Sequence, residues 1–183
     1  MVSAGEKHGA HSRWGPGLLR DDGLAMPRHT ETRNICYTRE QMFDLVADVG
    51  RYQEFLPWVA ATRVRSDTPS LMIADLVVGF KAIKETFTSR VTKERPASLA
   101  VDYIEGPLKY LHNSWRFEPD GKGGTDIHFC VDFAFKSRIF ESLAGQMFDR
   151  ALRRMIGAFE TRAHALYGDC SEGSSSSSAQ SAA

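Results

Sequence analysis

Apolar and polar side chains alternate with a period of two from Trp58 to Lys136, and on either side of that stretch the repeat lengthens to three and four. A period of two sends successive side chains to opposite faces of a strand; a period near 3.6 keeps them on one side of a helix. In IKETFTSRV (83–91), Ile83, Glu85, Phe87, Ser89 and Val91 share one face, and Lys84, Thr86, Thr88 and Arg90 the other. SLAVDYI (98–104) sets Leu99, Val101 and Tyr103 against Asp102. KYLHNSWRF (109–117) sets Leu111, Asn113, Trp115 and Phe117 against Tyr110, His112, Ser114 and Arg116. TDIHFCVDFAF (125–135) sets Ile127, Phe129, Val131, Phe133 and Phe135 against Asp126, His128, Cys130 and Asp132. One wet and one apolar face per strand predicts an antiparallel sheet covered on one side. VAATRVRS (59–66) and LMIADLVVGF (71–80), joined at Asp67-Thr68-Pro69, read as further strands, and polar RHTETRNI (28–35) as the first.

Between that first strand and the rest, YTREQMFDLVADVGRYQEFLPW (37–58) carries Met42, Leu45, Val46 and Val49 at helical spacing. Thr38 with Gln41 three residues on makes a capping box. Gly50 breaks the helix, a short second one holds Tyr52 and Phe55, and Pro57 ends it. Residues 137–167 predict one long amphipathic helix capped by Ser137, with the stripe Phe140, Leu143, Met147, Ala151 and Met155. Strand, two short helices, a run of antiparallel strands and a long helix assemble most economically as an α+β sandwich, a curved sheet gripping the terminal helix.

Composition narrows this little. The 183 residues make one domain with a sizeable core, and a formal net charge of zero gives no bulk basic field for DNA. Residues 1–25 lack the apolar core of a secretory signal and read as a flexible extension, with Met26 as a working start; residues 168–183 read as a disordered Ser/Ala-rich tail, leaving a domain at 26–167. No apolar run reaches the length of a membrane span. Cys36, Cys130 and Cys170 are far apart and at no metal-type spacing; they fit a reducing compartment, and no chemistry is assigned to them. His112 and His128 fall on outward faces without neighbouring ligands, so no metal site is expected.

Four features leave two readings each. The aromatic rings of the apolar face either fill a core or line a cavity. Glu85, between Ile83 and Phe87, is either ion-paired or at a wet mouth, or else a cavity acid. The Gly106-Pro107 turn carries Leu108, Lys109 and Tyr110. It either folds back on its own core or stands as a gate and membrane contact. Arg150, Arg153 and Arg154 are either a solvated face or a contact for anionic lipid or RNA.

The segments YTREQMFDLVADVGRYQEFLPW (37–58), VGFKAIKETFTSRV (78–91), GPLKYLHNSWRF (106–117) and VDFAFKS (131–137) resemble, in order, the coenzyme Q-binding START-domain proteins of the polyketide cyclase/dehydrase superfamily. That resemblance implies the helix-grip fold and a non-enzymatic carrier or chaperone, with ubiquinone as bound ligand and no catalytic cofactor. It would support respiratory electron transport and quinone biosynthesis, from a cytoplasmic position with peripheral contact at the inner membrane. The implied cavity takes Phe87, Ser89, Val101, Tyr103, Leu111, Asn113, Trp115, Phe129, Val131 and Phe133 from the sheet, facing Met147, Ala151 and Met155 of the helix. Ser89, Asn113 and Tyr103 are its candidate head-group donors, with Glu85 as a further candidate. The same family includes bacterial toxins that block association of the ribosomal subunits, which makes the large ribosomal subunit the alternative partner. A cyclase or aromatase using Glu85 is the third reading.

Overall fold

The computed structural model describes residues 28–80 and 83–170, with residues 80, 83 and 138–149 described by their backbone alone. The expected extension at 1–25, the tail from 171 onward and the side chain of Met147 lie outside the described residues. Seven strands run β1 (Arg28–Ile35), β2 (Val59–Asp67), β3 (Leu71–Phe80), β4 (Ile83–Glu94), β5 (Ser98–Glu105), β6 (Leu108–Pro119) and β7 (Thr125–Phe135). They form one antiparallel sheet in the order β1-β7-β6-β5-β4-β3-β2. After β1 come α1 (Arg39–Ala47), a single 3-10 turn (Val49–Arg51) and α2 (Tyr52–Phe55); α3 (Arg138–Tyr167) closes the domain. This is the helix-grip architecture, with both edges of the sheet, β1 and β2, flanking the helical segment in sequence.

The local signals operate where the sequence puts them. Thr38 caps α1, its side chain accepting from Gln41 N–H while the Gln41 side chain accepts from Thr38 N–H. Ser137 stands at the N-cap of α3, but its side chain makes no capping bond there, contrary to expectation.

The core divides in two. Under α1 and the C-terminal half of α3 the packing is solid: Met42, Phe43, Leu99, Phe117 and Ala163 are each no more than 3% exposed. Phe117 meets Phe43 edge-on at 6.0 Å. Burying side chains of this size contributes about 1.5–3 kcal/mol each. A smaller cluster of Phe129, Val131 and Leu152 lies further along the sheet, and Trp115 packs against both.

The C-terminal end of α3 is fastened to the β1–α1 junction. Tyr37 donates its hydroxyl to Gly168 O at 2.7 Å, and Tyr167 donates to Gln41 O at 2.9 Å. Cys36 and Cys170 are paired as a disulfide, with Cα atoms 5.8 Å apart. This corrects the expectation that the cysteines carry no chemistry: sequence separation of 134 hides a pair that the fold brings together. These contacts involve Gly168 and Cys170, which lie past Tyr167. Cys170→Ser should lower unfolding stability under oxidising conditions by about 2–4 kcal/mol. With reductant present, wild type and variant should unfold at the same denaturant concentration; a persisting gap would assign the loss to packing instead of the bond.

On the convex face, Asp75 is 9% exposed and accepts from Arg65 Nε at 2.8 Å and Thr88 Oγ1 at 2.8 Å. The hydrogen bond from Arg65 chiefly, with that from Thr88, holds its carboxyl below the ordinary carboxylate range. A folded value below the unfolded one contributes stability above the unfolded pKa, about 3.9, and loses it as pH falls through the folded value. Denaturant unfolding should therefore find Asp75→Asn less stable than wild type at pH 7, with the gap closing as pH drops below about 4. A gap constant with pH would show that the carboxylate's charge contributes nothing.

Candidate functional site

The concave face of the sheet and the underside of the helices enclose a cavity of about 290 Å³. β4, β5, β6 and β7 send Phe87, Ser89, Val101, Leu111, Asn113, Trp115, Phe129 and Val131 into its wall, and α3 contributes Ala151 and Met155. These are residues the alternation assigned to one face. The geometry also resolves the aromatic set: Phe117 is solid core at 1% exposure, whereas Trp115 and Phe129, 4.5 Å apart between ring centres, border the cavity. Phe159 closes one end, 5.5 Å from Tyr52, 5.3 Å from Phe55 and 5.5 Å from Trp115.

A second wall was not foreseen. Val46, Val49, Tyr52, Leu56 and Trp58, from α1 to the start of β2, line the cavity together with Leu76 and Val78 of β3. Their helical spacing was visible, but an apolar stripe does not say whether it meets packed side chains or a void. Burial pushes the Tyr52 phenol up, with Asp48 adding to the shift, and its hydroxyl donates to Val46 O, so it is a neutral structural group.

Several expected site residues take other places. Tyr103 and Phe133 lie beside the wall without being part of it; Phe133 packs with Phe129 and Val131, edge-on to Phe135. Asn113 is in the wall, but its amide donates to Cys130 O at 3.1 Å and its carbonyl accepts from Trp115 Nε1 at 2.8 Å. With its carbonyl and one of its two N–H groups engaged, it orients Trp115 and keeps a single N–H as a spare donor. Glu85 is half-buried, opposite Val78 in register, outside the wall, and without a hydrogen bond or ion pair among the described residues. Of the two places expected for it if it is not a cavity acid, the ion pair is not formed among the described residues, and it stands beside the cavity.

The hairpin tip folds back. Leu108 is 7% exposed, Tyr110 donates to Asp132 at 2.9 Å, and of these three residues Lys109 alone is fully on the surface. Gly106 makes this possible: at φ 137°, a Cβ there would lie 2.7 Å from Thr86 O and 2.8 Å from Phe87 Cβ. Leu108 and Tyr110 therefore do not form the gate or membrane contact that was one reading of the turn. On α3, Arg150 and Arg153 are exposed, and Arg154 stands over the Trp58 ring at 5.8 Å.

A helix-grip sheet around an apolar cavity defines a protein built to hold an apolar molecule between sheet and helix. The family described as "Polyketide cyclase / dehydrase and lipid transport" matches residues 35–160, and the chain belongs to it. The chain is 33% identical over 144 residues to the ribosome association toxin RatA of Escherichia coli (strain K12), covering 79% of this chain and 91% of that one. It is 34% identical over 144 residues to the mitochondrial coenzyme Q-binding protein COQ10 homolog B of Xenopus laevis, covering 76% of this chain and 59% of that one. Among solved structures, an 18 kDa protein of Caulobacter crescentus is 39% identical with a TM-score of 0.64, covering 79% of this chain and all of that one. The Zhui aromatase/cyclase of Streptomyces shares the fold at 18% identity and a TM-score of 0.62, covering 79% of this chain and 99% of that one.

Proposed function

We propose that this protein binds ubiquinone or a related isoprenoid lipid and carries it without altering it, in support of respiratory electron transport and quinone biosynthesis. The observation that supports this most is the composition of the cavity wall. Among the described residues it holds no carboxylate, lysine, arginine, histidine or cysteine; Ser89 and Asn113 are its aliphatic polar side chains. Acid–base chemistry on a bound polyketide needs a titratable group in reach of the reacting atom. A polyprenyl chain needs only contact area, at about 0.8 kcal/mol per buried methylene. A volume of about 290 Å³ is at the low end for ligand pockets, which run from roughly 300 to 1,000 Å³. It suits a head and the first part of a tail, with the remainder leaving through an opening. No helix among the described residues is long and apolar enough to cross a membrane. Exchange with the inner membrane from the cytoplasmic side is accordingly proposed as peripheral.

Trp58 and Trp115 line the cavity, so a quinone bound there should quench their fluorescence. Saturable quenching by a short-chain ubiquinone, together with quinone in the organic extract of the purified protein, is the expected result. An extract free of isoprenoid lipid and a titration without saturation would defeat the proposal.

The similarity to RatA, which extends over 91% of that chain, supports a second reading in which the partner is the large ribosomal subunit. Exposed Arg150 and Arg153 are its candidate contacts. Co-sedimentation with ribosomes that weakens steeply with salt is the outcome that reading requires.

A further inference from the structure

Other buried hydroxyls among the described residues are used. Thr88 donates to Asp75 at 2.8 Å and Thr125 to Tyr37 O at 2.7 Å, while Tyr37 and Tyr167 each donate to a backbone carbonyl. Two hydroxyls break this pattern. Ser89 is 1% exposed, lines the cavity, and makes no side-chain hydrogen bond among the described residues. The Tyr103 hydroxyl is buried with no hydrogen-bond partner. The two residues are directly opposed on β4 and β5, where a bulge between Thr88 and Ser89 resets the register. Ala74, with no exposed surface, is the opposite neighbour of Ser89 on β3, so nothing polar flanks it from that side.

A hydroxyl removed from water and left without an acceptor is unfavourable, and such groups in native proteins are explained by strain, function or an unseen partner. We infer that Ser89, in the wall, and Tyr103, which adjoins the wall at the opposed position, form the polar subsite of this cavity, and that its ligand carries hydrogen-bond acceptors on separate atoms of its head, as the carbonyl oxygens of a quinone are. A serine hydroxyl is one bond from its Cβ and a tyrosine hydroxyl a full ring away, so two such donors on opposed positions reach different depths. Asn113 is the weaker donor, since its carbonyl and one of its two N–H groups are already engaged. The inference rests on the lipid-binding reading above and adds to it which end of the ligand is held, where, and by what.

The test uses the full chain with two probes of equal tail, decylubiquinone and decylbenzene, the second lacking acceptors. Ser89→Ala and Tyr103→Phe should each weaken decylubiquinone several-fold, and the double variant by about tenfold or more, as expected for two lost hydrogen bonds. Decylbenzene binding should stay within about twofold, because the apolar wall is intact. The melting temperature of the ligand-free single variants should stay level or rise, since neither hydroxyl makes an internal bond. Unchanged decylubiquinone affinity in the double variant overturns the subsite, as does a lowered melting temperature in either single variant. Wild type binding both probes equally well removes the subsite and leaves the apolar cavity reading standing. Wild type binding neither removes both.

Discussion

Trp115→Ala is expected to lower folding stability by about 3–5 kcal/mol, the usual cost of truncating a packed Trp, and to abolish quinone binding with it. Trp115 joins the two halves of the interior, packing against the solid cluster under α1 and against the Phe129–Val131–Leu152 cluster. Its ring lies 4.5 Å from Phe129 and 5.5 Å from Phe159, and aromatic pairs of this kind add about 0.5–1.5 kcal/mol beyond area burial. Truncation also leaves the Asn113 carbonyl without its donor, at a further cost of about 1–3 kcal/mol if water does not reach it. The helices cannot collapse into the space, because Phe159 is held by Tyr52 and Phe55 on its other sides. Stability is read by circular dichroism in urea, and binding by the quenching of Trp58, whose ring lines the cavity. A loss below about 1 kcal/mol would mean that Trp115 only borders open space and is not part of the frame.

What alternation could reveal was the face on which a residue stands. Phe87, Val101, Trp115, Phe129 and Val131 were legible as partners because a strand's side-chain period of two fixes their face. Which of those positions end in a void was not legible, since Phe117 and Trp115 occupy equivalent places in the same pattern and differ only in what α1 and α3 set over them. Position in depth is a tertiary quantity. The same limit explains Val46, Val49 and Tyr52, whose helical stripe was clear but whose opposite surface was not. Polar satisfaction was equally hidden. Asn113 and Ser89 looked alike as polar residues on an apolar face, and only the positions of Cys130 O and Trp115 Nε1 separate the engaged amide from the unused hydroxyl. For Leu108, the missing fact was how closely Gly106 brings the hairpin to β4. Cys36 and Cys170 depend on where the long helix ends in space, which spacing along the chain does not encode.

The position that best separates cavity from core is Ala151. It is a small residue of α3 in the cavity wall, set beside Leu152 and one turn before Met155. Ala151→Phe adds a phenyl ring on the side where an isoprenoid chain is proposed to lie. In a solid core the same change would force rotamers and backbone apart and cost about 1–3 kcal/mol. In a cavity of about 290 Å³ the ring instead gains apolar contacts that the empty space withholds. The expected result is therefore a melting temperature that stays level or rises, with no quinone in the extract of the purified variant and no saturable quenching of Trp58 and Trp115. Destabilisation of the variant would show that α3 packs solidly at this level. A stable variant with wild-type quinone content would place the ligand away from this face of the helix. Because Ala151 makes no polar contact with Ser89 or Tyr103, this substitution acts on the tail's space alone and leaves the proposed head-group donors intact.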